Sequence, residues 1–153
     1  MSMVPRLLAL VLTLLAAPAA ADPIAALDEA ENMRSVEMEE ISRILAADNV
    51  DSNLLTSSEV LAAIRTIPRG SAPDDFWTAY QAHVRAWERA AAAEQKLEKA
   101  DGVDPEAAQR AATELAEAEA RIEATFAEVG RIAESYGVTM PALPLVSDDP
   151  DAT

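Results

Sequence analysis

The chain has no cysteine. This excludes disulfides, thiolate-held zinc, iron–sulfur clusters, c-type haem attachment, thiol catalysis and a lipidated N-terminal cysteine. It has a single histidine, which excludes every multi-histidine metal site, including the two Glu-x-x-His pairs of di-iron bundles. No Gly-rich phosphate loop, dinucleotide turn, nucleophile elbow or HExxH motif is present. No apolar/polar alternation of period two occurs, and no Asn-Gly or Asp-Gly turn joins β-branched runs, so no sheet is expected. Basic residues are scarce, 12 against 27 acidic ones, for a net charge of −15. Such a surface repels nucleic acid and anionic membranes. With no nucleophile, acid or metal set to name, the expectation is a non-enzymatic protein without a bound cofactor.

What is present begins with an export signal. Arg6 supplies the positive n-region, Leu7 to Ala17 is an unbroken apolar run, and Ala19 and Ala21 place small residues at −3 and −1. Cleavage is expected before Asp22, leaving a protein in the periplasm or secreted. The apolar run is too short to span a bilayer, so no stable membrane insertion is expected after cleavage. Loss of Arg6 makes the remaining chain one unit more acidic.

The rest reads as helix. Alanine is abundant and apolar residues recur at helical spacing. Helix 23–47 follows Asp22 as cap, with Ile24, Leu27, Ala30, Met33, Ile41, Ile44 and Leu45 as its stripe. Helix 57–67 opens on a capping box, Thr56 with Glu59, and a hydrophobic staple, Leu55 with Val60. Helix 73–100 carries Phe76, Tyr80, His83, Trp87, Ala90 and Leu97 on one face. Helix 105–136 is capped by Asp104, opened by Pro105 and ended by Gly137. The predicted fold is all-α, an up-down bundle of three long helices and one short one over residues 22–146. An extended apolar tail, Val138 to Val146, is expected to pack on it. Residues 147–153 form an acidic tail expected to be disordered.

The tight turn at 101–104 makes the last two helices antiparallel. A symmetric hairpin pairs residues whose numbers sum to about 205: Phe76 with Val129 and Gly130, Tyr80 with Phe126, His83 with Ile122, Trp87 with Ala118. Gly130 is then expected to admit Phe76 or Trp77. The turn end should be thin and alanine-rich, the far end thick and aromatic. Ala90 to Ala93 form a flat strip on which a second copy could pack as a homodimer.

Four features are candidates for chemistry. The loop 48–59 resembles an EF-hand calcium loop in its second half, with Leu55, Thr56, Glu59 and Val60 in the corresponding places. The resemblance implies Asp48, Ser52 and Glu59 as metal ligands, although Val50 stands where an oxygen ligand belongs. His83 is a candidate haem ligand. An exported acidic four-helix bundle is similar in layout to the cytochrome b562 family, which implies one Met and one His, here Met33 or Met38 with His83. That family places its histidine near the end of the last helix, where this chain has Glu134-Ser135-Tyr136. Arg65 and Arg69, flanking Pro68, could hold an anion at the start of the third helix or pair with Asp74 and Asp75. Finally, Phe76, Trp77, Tyr80, His83, Phe126, Tyr136 and Met140 could line an apolar pocket, although a filled core is the commoner use of such a stripe. Together these readings predict an exported, acidic, non-enzymatic binding or envelope-accessory protein with a protein partner. The alternative is a carrier of an ion or ligand, calcium ahead of haem.

Overall fold

A computed structural model describes residues 23–50 and 55–140. Among them are four helices and no strand: α1 (Pro23–Asp48), α2 (Ser57–Ile64), α3 (Asp74–Ala100) and α4 (Pro105–Ser135). The expected export signal and the expected apolar and acidic tail beyond Met140 lie outside the described residues.

The helix ends follow local chemistry. Thr56 and Glu59 close a reciprocal capping box at α2, and Asp104 accepts from the backbone N–H groups of Glu106 and Ala107 ahead of Pro105 in α4. α2 stops three residues earlier than its apolar pattern suggests. Pro68 restricts the residue before it and brings no N–H. The chain tightens there into i→i−3 bonds, Thr66 N–H to Ala63 and Ile67 N–H to Ile64. Leu55, the expected staple partner of Val60, is largely exposed while Val60 is buried.

α3 and α4 form the expected antiparallel hairpin, and α2 lies against α3, where Glu94 accepts from the Ser57 N–H at 3.0 Å. The hairpin register differs from the symmetric one at its side-chain contacts, where partners are displaced by about four to six residues, more than one helical turn. Lys96 pairs with Glu114 at 2.6 Å, Tyr136 donates to Asp75 at 2.9 Å, and the His83 ring lies 5.3 Å from that of Phe126. The cause is the backward lean of helical side chains. Each points toward its own N-terminus, so α3 residues reach away from the turn and α4 residues reach toward it. Partners therefore lie farther from the turn than backbone symmetry suggests. The atoms nearest to a Cβ at Gly130 belong to Met140 rather than to Phe76 or Trp77. A Cβ there would stand 3.2 Å from Met140 Cγ, so the glycine makes room for Met140 as the chain folds back after α4. Val138 is buried beside it.

The core is built from Ile41, Ile44 and Leu45 of α1, Val60 and Ile64 of α2, Phe76, Tyr80 and Val84 of α3, and Val129, Ile132 and Ala133 of α4. Toward the turn the buried side chains are alanines, Ala93, Ala100, Ala111 and Ala118. Ala90, Ala91 and Ala93 are spent on this packing. Of the strip expected to receive a second copy, only Ala92 faces solvent.

α1 departs most from the expectation of one continuous buried stripe. Ile41 and Ile44 are fully buried, whereas Leu27 is 66% and Met33 56% exposed, with Ile24 and Val36 also exposed. Met38 sits against Gly137 and Glu40 against Gly70. The ends of the other helices are thus level with the middle of α1. Its first half runs past them, with no described helix alongside to cover its apolar side.

Candidate ligand-binding site

The last turn of α1 brings an acid into the aromatic layer of the hairpin. Asp48, whose side chain is only 4% exposed, accepts a hydrogen bond from the Tyr80 hydroxyl at 3.1 Å through Oδ1. Its Oδ2 stands 3.8 Å from His83 Nε2, too far for a hydrogen bond. Tyr80 is itself stacked on Trp77 and Phe76.

The protonation of His83 follows from its neighbours. The Trp87 indole N–H, which can only donate, points at His83 Nε2 at 3.1 Å, so Nε2 accepts. The Thr125 hydroxyl donates to the backbone carbonyls of Arg121 and Ile122. Its oxygen is left to accept from His83 Nδ1, 3.1 Å away. The ring is therefore a neutral Nδ1–H tautomer, held at both nitrogens. Burial pushes its pKa down to about 4, opposed by the nearby Ile122 carbonyl. The same burial pushes Asp48 up to about 7, opposed by the Tyr80 hydrogen bond. Tyr80 is raised as well, by burial first and then by Asp48.

Beside this trio is a cavity of about 260 Å³. Leu45, Val50, Val60 and Ile122 supply its aliphatic walls, and Trp87 and Phe126 its aromatic ones. Asp48, His83, Asn49 and Glu123 are its polar groups. An apolar pocket with a few convergent polar groups and shifted pKa values is the usual form of a small-molecule site.

The structure distributes the expected site residues as follows. His83 and Phe126 line the cavity. Phe76 and Tyr80 are fully buried core, and Trp77, Tyr136 and Met140 pack against that core. Of the calcium-loop residues, Asp48 turns inward to Tyr80, Glu59 is held by the Thr56 backbone N–H at 2.9 Å, and Ser52 lies outside the described residues. No three His, Asp or Glu side chains among the described residues are grouped to share a metal ion. For haem, neither nitrogen of His83 is available without losing a hydrogen bond, and Met33 is on the exposed half of α1. Arg69 pairs with Asp74 and with the Ala72 carbonyl, and Arg65 pairs with Glu88 at 2.6 Å. Both arginines are thus engaged with the chain itself rather than presented to an anion.

Trp87, Ile122 and Thr125 were not singled out as site residues by the sequence. One signal for the site was present. Asp48 is an acid at a helix C-terminus, where the macrodipole favours a cation. No described helix crosses a membrane: none is long and apolar enough. Comparison with family models, curated proteins and solved structures finds no match for this chain.

Proposed function

We propose that this chain is a small exported, acidic, non-enzymatic binding protein whose ligand occupies the cavity between the end of α1 and the aromatic layer of α3 and α4. The cavity beside Asp48, His83 and Trp87 is the observation that carries the reading. The Ala19-Ala20-Ala21 cleavage pattern supports export. His83 is hydrogen-bonded at both nitrogens, and the hydroxyl on it, that of Thr125, is engaged with backbone carbonyls, which favours holding a molecule over transforming one.

The test is to express the full chain with its own signal, recover it from the envelope fraction and measure its native mass. A chain starting at Asp22 with a small excess mass is expected. Asn49→Trp, which places an indole at the cavity mouth from an exposed position, is expected to lose that excess. Wild-type protein without added mass, which also fails to retain any small apolar molecule offered to it, contradicts the reading.

A second reading, capture of a partner protein, has one observation in its favour. Leu27, Met33 and Val36 are exposed on the projecting half of α1, among Asp28, Glu29 and Glu31. That combination suits a basic amphipathic segment. Crosslinking in the native envelope through position 33 distinguishes it from the first reading.

A further inference from the structure

We propose that the cavity beside Asp48 selects a small organic cation, an amine carried on an apolar or aromatic body. The inference rests on the cavity being a binding site and adds the chemical class of its occupant.

Charge at the site points one way. Asp48 is a buried carboxyl that accepts from the neutral Tyr80 hydroxyl, and the basic group beside it, His83, is neutral in the tautomer its neighbours impose. Glu123 adds a second carboxylate to the lining. No lysine or arginine is among the described lining residues. α1 ends at Asp48, so its last carbonyls bring the negative end of the helix dipole to the same place. Leu45, Asp48, Asn49 and Val50 all belong to this helix end and line the cavity.

Three sources of negative potential thus converge on one cavity, with no lysine or arginine among its described lining residues to balance them. A buried charge without a partner is unfavourable. An ammonium near Asp48 supplies the missing charge and forms charge-assisted hydrogen bonds with the carboxylate. Trp87 and Phe126 present aromatic rings to the same volume, and such faces attract cations. Neither an anion nor a hard metal ion fits. An anion meets two carboxylates and a helix C-terminus, and a hard divalent ion needs six or more oxygen ligands.

The experiment is calorimetric titration of the chain from Asp22 onward with tryptamine and with its neutral alcohol counterpart, indole-3-ethanol, at pH 8. These probes share a ring system and differ at the terminal group. Tryptamine is expected to bind at least tenfold more tightly. In Asp48→Asn the preference is expected to collapse to within about twofold, with the alcohol's affinity kept. Should that variant fail to fold, Glu123→Gln, at an exposed position, is expected to reduce the preference by a smaller factor. Equal or tighter binding of the alcohol by wild type overturns the cation inference and leaves the cavity as a binding site. Binding of neither probe overturns both.

Discussion

Asp48 combines two unfavourable placements, a carboxyl withdrawn from water and an acid at the negative end of a helix. Natural sequences break local rules of this kind mainly where function requires it. The placement has a measurable signature. Between about pH 4 and pH 7 folded Asp48 keeps a proton that the unfolded chain has released, so its contribution makes stability fall as pH rises. His83 acts in the opposite sense. The folded chain holds it neutral down to about pH 4 while the unfolded histidine stays charged up to about 6.5, so its contribution makes stability rise with pH. Across pH 4 to 6.5 the two nearly cancel. In Asp48→Asn only the histidine effect remains. Urea unfolding at a series of pH values is expected to show the variant gaining stability relative to wild type as pH rises, at up to about 1.4 kcal/mol per pH unit. Parallel pH curves for the two proteins would contradict the assignment. The stripe Tyr80, His83, Trp87 was legible in the sequence because it repeats at helical spacing. Its hydrogen-bond partners were not. Thr125 and Asp48 come from other helices, and their meeting depends on a register that backbone symmetry alone misplaces.

Local chemistry predicted the elements well, because caps and breakers act within a few residues. The capping box at Thr56, Pro105 at the start of α4 and Gly137 after its end are all where the sequence put them. Thr56→Ala removes a side-chain acceptor from the α2 N-terminus and is expected to cost about 1 kcal/mol, read by urea unfolding. What the sequence did not reveal was which half of an amphipathic helix finds a partner. The periodicity of α1 continues along its length, yet its apolar contacts with the core lie in its second half, with Ile41, Ile44 and Leu45 buried and Met38 packed against them. Two changes separate the halves. Ile44→Ala is expected to cost about 2–5 kcal/mol through the cavity it leaves. Removing residues 23–36 is expected to lower the thermal midpoint by no more than a few degrees, because Leu27, Met33 and Val36 contribute little burial. A large loss on truncation would mean that this half is packed in solution.

At the scale of the molecule, the alanine-rich turn end and the aromatic far end give the bundle a gradient of thickness. The buried side chains near the turn are alanines, and the cavity opens where large rings, a short α2 and the end of α1 meet. With no cysteine and one histidine in the chain, the described lining of that cavity offers carboxyl groups, one amide, one neutral imidazole, and aromatic and aliphatic walls. The excess of acid over base gives the chain a net charge of −15, and a net negative charge speeds the encounter with cations and makes it sensitive to salt. Association with a cationic ligand is therefore expected to slow several-fold between 20 mM and 300 mM salt in stopped-flow fluorescence. An unchanged rate would mean that the surface charge plays no part in capture.

The most direct test of the account is the indole N–H resonance of Trp87 in the chain from Asp22 onward during titration with tryptamine. That N–H bonds to His83, and its ring lines the cavity. The account predicts a saturable shift of the Trp87 signal, with the Trp77 signal moving much less. A Trp87 resonance that stays in place through millimolar tryptamine would contradict it.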